Sequence, residues 1–226
     1  DVVGFETIQT LILDDNKLSH PITSKDIILS SGKAFIEDNP HLRYEIWWYF
    51  IKRDFMLEHN MSFNTNEYNG DVIFTLEVLL KANKLGHLPV SIHRYVQTQH
   101  SVMRNKNVEA VNKRIGYLNM MIVSTSQLIN EIKTEGNSEV LIQNISHRRD
   151  VFTFFNIIGM IRNSFSSESM KLQIKAFRDV DAYPIKQFNH YRYNSLLYRS
   201  LVSLVNQEKI LYPLLSVRNV FSKPNK

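Results

Sequence analysis

The chain contains no cysteine, which excludes disulfides, thiolate zinc sites and a cysteine nucleophile outright. Glycine and proline are scarce, seven and six in 226 residues, which argues against both a turn-rich all-β sandwich and a low-complexity disordered chain. The glycines are isolated from one another, and Gly32-Lys33 lacks the earlier glycine of a phosphate-binding loop, so no recognisable phosphate cradle can be built. Gly-x-Ser-x-Gly is absent, and with it the nucleophile elbow. Long apolar runs are missing as well. The best stretch, Val151 to Ile161, is interrupted by Thr153, Asn156 and Gly159 and falls short of the roughly 18 residues a membrane span needs. Eight histidines occur without a His-Glu-x-x-His or other tight ligand spacing, so neither a metal site nor a cofactor is expected.

What is present is a chain with 43% apolar residues and abundant aromatics, 13 Phe, 10 Tyr and 2 Trp. That suffices for one good core. Residues 1–42 mix short apolar groups with Asp14-Asp15-Asn16 and His20-Pro21 and read as an N-terminal arm, ahead of a single domain over 43–226. Charge is unevenly distributed. Residues 1–60 carry six Lys/Arg against ten Asp/Glu, whereas residues 61–226 carry 21 against 12. A basic body of this kind attracts RNA, a nucleocapsid or acidic lipid headgroups.

Hydropathy patterning points to an α+β fold. Arg43 to Lys52, with its aromatic and β-branched residues on both parities, predicts a central strand. Adjacent Trp47 and Trp48 would then lie on opposite faces of the pleat, which makes Trp47 a candidate exposed aromatic contact. Asp71 opens a helix through Val72, Leu76, Leu79 and Leu80, and Val90 to Val96 alternates as a strand. Residues 114–123 predict a strand, 124–136 a short helix stopped by Gly136, and 140–145 and 151–158 two more strands. Residues 170–177 alternate with period two, placing Leu172, Ile174 and Ala176 on a buried face and Lys171, Gln173 and Lys175 on a wet one. A helix from Asn194 to Val205 and a last strand over 210–217, bent at Pro213, complete the pattern.

The chemistry in this pattern is that of binding. Arg104 and Lys106 lie in a polar loop, Arg148 and Arg149 in a basic corner, and Lys171 and Lys175 on the wet strand face. Arg192 and Arg199 alternate with Tyr191, Tyr193 and Tyr198, setting guanidinium groups beside flat rings as phosphate contact and base stacking require. These eight cations, with Trp47, Tyr191 and Tyr193 as exposed aromatics, are the candidate contacts for a polyanionic partner. The carboxylate pair Asp179/Asp181 is the one place from which an enzyme assembled from distant residues could be argued.

Taken in order, Leu42-Arg43-Tyr44-Glu45 leading into an aromatic run, Arg148-Arg149 before an apolar segment, and Leu172-Gln173-Ile174-Lys175 resemble the matrix proteins of rhabdoviruses over roughly residues 42–217. That resemblance implies a twisted, mainly antiparallel sheet with helices packed against it. It also implies a self-associating virion protein, not an enzyme, that links ribonucleoprotein to the inner face of the host membrane and passes through the host cytoplasm. Arg148, Arg149 and Lys175 fall where the family carries basic groups. The family's Pro-Pro-x-Tyr motif and lysine-rich N-terminal segment are not found here. An RNA-binding nucleoprotein or capsid subunit is the alternative expectation.

Overall fold

The computed structural model describes residues 1–10, 26–63, 70–97, 107–186 and 195–221. They belong to two compact units, Asp1–Lys106 and Asn107–Lys226. The boundary therefore falls inside the expected 43–226 domain, and the described residues of the expected N-terminal arm supply two strands and a helix to the first unit.

Unit 1 carries the strands. They are β1 (Val2–Thr10), β2 (Ile28–Ser30), β3 (Tyr49–Ile51) and β4 (Leu85–Val96), in the order β2-β4-β1-β3. Two pairings are antiparallel, β1 with β3 and β2 with β4, and the longest ladder, β1 with β4, is parallel. The α+β class holds, with a mixed sheet and helices α1 (Gly32–Asp38), α2 (Arg53–Glu58) and α3 (Gly70–Lys81) in this unit. Ser31 caps α1 by accepting from the Ala34 amide at 3.1 Å. Helix α3 follows the predicted pattern and buries Val72, Leu76 and Leu79.

The segment 43–52 differs from expectation. Only Tyr49–Ile51 is strand, and it lies on the sheet edge. Ile46–Trp48 form a 3₁₀ turn, and the Trp48 indole N–H donates to the Arg43 carbonyl at 2.9 Å. This occupies the Arg43 carbonyl, which a central strand would need for its ladder. Trp48 is buried and packs on Phe35 and Tyr49. Gly4 makes room for it, since a Cβ there would meet the Trp48 ring at 2.6 Å.

Buried Tyr49 shares a 2.8 Å hydrogen bond with the Thr75 hydroxyl, and burial pushes its phenol up to about 12. Because this pKa lies above the ordinary value of about 10, the phenol's contribution to stability is complete below pH 10 and is lost as pH rises toward 12. Spectrophotometric titration should show Tyr49 ionising after the exposed tyrosines. Ionisation together with them would contradict the buried contact.

Register sets Leu29, Gly86, Val3 and Phe50 in one row across all four strands. Leu29, Val3 and Phe50 are 80%, 44% and 64% exposed. Val2 and Leu85, on the other parity, are buried.

The regular structure among the described residues of unit 2 is all helix: α4 (Val108–Thr134), α5 (Glu139–Arg162), α6 (Ser167–Asp179), α7 (Leu196–Val205) and α8 (Glu208–Phe221). The strands predicted over 114–123, 140–145, 151–158, 170–177 and 210–217 are all helix. The caps explain where the helices begin. Asn107, Ser138, Ser166 and Ser195 each accept from the backbone amide three residues on. Gly136, at φ +73°, follows the end of α4.

Helix α5 contacts α4, α6 and α7 and is buried around much of its circumference, from Leu141 and Ile145 to Phe154, Ile157 and Met160. A helix covered on several sides shows no amphipathic stripe, so its β-branched and aromatic content reads as strand. In α6 the buried residues are Met170, Ile174 and Phe177, at helical spacing. Leu172 and Ala176, expected inside, are exposed. Pro213 sits within α8, exposed, between buried Leu211 and Leu215.

Candidate functional site

The cationic surplus follows the division into units. Residues 107–226 carry 16 Lys/Arg against nine Asp/Glu, whereas residues 1–106 carry 11 against 13. On α6, Lys171 and Lys175 are exposed four residues apart and so share a face on successive turns, with Leu172, 71% exposed, beside them. Lys171 Nζ lies 5.4 Å from the centre of the Tyr212 ring. Arg178, one turn further, pairs with Glu208 and sits 5.6 Å over the Tyr183 ring. Tyr212 donates to the other Glu208 oxygen at 2.7 Å, and burial, reinforced by that carboxylate, pushes its phenol up. Glu208 thus neutralises Arg178, while Lys171 and Lys175 have no ion-pair partner among the described residues.

Of the other predicted contacts, Arg199 is exposed on α7. Arg148 is half-buried with its guanidinium 5.0 Å over the Phe152 ring, an intrahelical arrangement at four-residue spacing. Arg149 is not a surface group. It is 4% exposed and donates through Nε and Nη2 to one oxygen of the equally buried Asp150, at 3.2 and 3.0 Å. The Lys186 amide donates to the other oxygen at 3.1 Å. Burial pushes the Asp150 carboxyl above its ordinary range, and the Arg149 guanidinium pulls it only part of the way back. Expecting Arg149 to meet a polyanion was therefore mistaken. In a helix enclosed by others, this position turns inward, which a strand reading could not show. Arg104, Lys106, Tyr191, Arg192 and Tyr193 lie outside the described residues.

Unit 1 contains a cleft of about 500 Å³. Thr7, Phe35, Arg43, Trp47, Trp48 and His87 are among its walls. Half-buried Trp47 meets the Tyr95 ring at 4.8 Å with a tilt of 34° and stacks on His93 at 6.3 Å, two residues that share one face of β4. Phe35 stacks on Trp48 at 5.9 Å and lies 5.3 Å from His87. His87 Nε2 is 3.5 Å from the Glu6 carboxylate. Gln9 lies beside Arg43, and turning its amide over would set the amide oxygen 3.2 Å from both Nη atoms. Trp47 Nε1, Thr7 Oγ1 and His87 Nδ1 belong to residues that line the cleft but are themselves buried, and they have no partner within the protein, as is true of eight further side-chain atoms among the described residues. Leaving such groups unsatisfied costs about 1–3 kcal/mol each.

Asp179 and Asp181 are both exposed, and no group of three or more His, Asp or Glu able to hold a metal occurs among the described residues. No described helix is long and apolar enough to cross a membrane. The segments behind the matrix-protein resemblance at 151–158 and 172–175 are helical where strands were expected, and Arg148-Arg149 lies within α5 where a corner was expected. No family model matches the chain, and no curated protein matches it significantly.

Proposed function

We propose that the chain is a non-catalytic structural protein of the matrix type, which self-associates and engages ribonucleoprotein and an anionic membrane surface through the basic helical surface of unit 2. The observation that supports this reading is the confinement of the positive surplus to unit 2, with Lys171 and Lys175 unpaired on one face of α6. Exposed Leu172 beside two lysines suits a lipid headgroup layer, where cations meet phosphate and an apolar side chain enters the interface. The Leu29, Val3 and Phe50 row of unit 1 offers an apolar surface for self-association.

Binding to single-stranded RNA, nucleocapsids and acidic liposomes should weaken steeply with salt. The double variant Lys171→Gln/Lys175→Gln should reduce the slope of log K against log salt for single-stranded RNA by roughly 1.4, at about 0.7 per lost phosphate contact. Salt-independent binding, or none, would remove the proposal. RNA protection with no liposome binding, abolished by Arg199→Ala, would move the assignment to a nucleoprotein.

A further inference from the structure

We infer that helix α8 is the lipid-docking element of unit 2, lying along an anionic bilayer surface with Ile210 and Leu214 in the headgroup layer and basic residues on either side. The inference rests on the membrane part of the reading above and assigns it to a helix other than α6.

The helix has two apolar faces. One is used inside the protein: Leu211 and Leu215 are 3% and 2% exposed and belong to the core of unit 2. The other begins with Ile210 and Leu214, 43% and 52% exposed, beside exposed Pro213. The sequence continues that row with apolar residues at 217 and 221. A spacing of four, three and four keeps these positions on one face of a helix that runs to Phe221. Single exposed leucines need no explanation, but a row along a whole helix does.

Charge says what covers it. Residues 182–226 carry seven Lys/Arg and a single acid, Glu208. That acid is engaged within the protein, where it pairs with Arg178 of α6 and accepts from Tyr212 at 2.7 Å. After it come four Lys/Arg and no Asp or Glu. At about 100° per residue, the cationic positions 209 and 218 fall on opposite borders of the apolar row.

A second copy of α8 fits this face poorly, because two such helices would bring cations together with no acid to offset them. Single-stranded RNA would satisfy the cations and leave the apolar row in water. An anionic bilayer answers both, since its headgroups take the Lys and Arg while the boundary of the acyl chains takes the aliphatic side chains.

The absence of cysteine makes one introduced thiol a unique labelling site. In the full chain, Leu214→Cys carrying an environment-sensitive fluorophore should shift to the blue on mixing with vesicles of equimolar phosphatidylserine and phosphatidylcholine. Vesicles of phosphatidylcholine alone should leave it unchanged. Leu172→Cys, labelled in the same way, reports on the α6 surface. Ile210→Gln/Leu214→Gln should weaken binding of the unlabelled protein to the anionic vesicles roughly tenfold. Its Tm should stay within about 4 °C of the wild type, because both side chains are about half in water already. A response at 172 without one at 214 would overturn the inference and leave α6 as the membrane contact. No vesicle binding at all would remove the membrane reading together with it. A response at 214 that grows with protein concentration in the absence of vesicles, or that single-stranded RNA alone produces, would also overturn it, in favour of a second copy or of nucleic acid.

Discussion

Arg149→Ala is expected to cost unit 2 about 3–5 kcal/mol, the range for removing one partner of a buried ion pair. Arg149 is 4% exposed and its neighbour Asp150 3%, so after truncation the carboxylate keeps the Lys186 amide at 3.1 Å and the more distant charge of His147 in a poorly solvated place. Asp150 already sits above the ordinary carboxyl range because burial outweighs the arginine, and without that arginine it rises further. The sign of the pH dependence follows. In the variant, a raised carboxyl pKa favours folding at acid pH and costs stability as pH rises through it. The penalty should therefore be full near neutrality and shrink as pH falls and Asp150 takes a proton. Urea denaturation followed by circular dichroism should show the helical transition shifted to lower urea concentration. A penalty below about 1 kcal/mol, typical of an exposed pair, would mean that Arg149 is solvated, and would return it to the candidate surface contacts.

Gly32→Ala should be the most damaging small substitution in unit 1. A Cβ at this position would lie 2.0 Å from the Leu79 carbonyl oxygen and 2.7 and 2.9 Å from the Leu79 carbonyl carbon and Cα. These are backbone atoms of α3 and cannot rotate aside as a side chain can. The Gly32 amide also donates to the Ala82 carbonyl at 2.8 Å, so retreat of α1 would sacrifice that bond. Overpacking costs about 1–3 kcal/mol where side chains can yield, and this site should reach the upper end or exceed it. At about 4–8 °C per kcal/mol for a domain of this size, the unit 1 transition should fall by more than about 10 °C. A Tm within about 2 °C of the wild type would show that α1 and α3 do not touch at Gly32. Gly116, with open space at the Cβ position, is the matched control in unit 2, where alanine should be harmless or mildly stabilising in a helix.

Legibility of the fold depended on how each element is buried. Helix α3 was readable because Val72, Leu76 and Leu79 occupy one side of it, and the 90–96 part of β4 because its residue types alternate, although the strand begins earlier, at Leu85. Helix α5 was not, because being enclosed by other helices removes the periodic signal while leaving the Val, Ile and Phe content that mimics a strand. Lys171 and Lys175 were correctly placed together for a reason that outlasted the wrong element. A spacing of four is an even number on a strand and close to one turn of a helix, so both readings give one face. Leu172 and Gln173 had no such protection. Leu172 turned outward, and Gln173 came to accept from the Asn119 amide of α4 at 2.7 Å. The cleft was legible only at Trp47. Thr7, Phe35, Arg43 and His87 are brought to it by the parallel pairing of β1 with β4 and by the turn at Ile46–Trp48, neither of which leaves a local mark in the chain.

The pairing of β1 with β4 also orders events in time. A ribosome releases Val2–Thr10 and then must add the residues up to Leu85 before the long ladder can begin, a wait of roughly 4–15 s at about 5–20 residues per second. Until then an apolar segment is exposed to whatever is near the exit tunnel. Assembly of unit 1 is thus governed by a distant meeting, whereas the α4–α5 hairpin can close across the short turn at 135–138 as soon as it is made. The earlier-made half of the chain is the half whose sheet waits longer for its partner, and it is where a chaperone would have the longest opportunity to act.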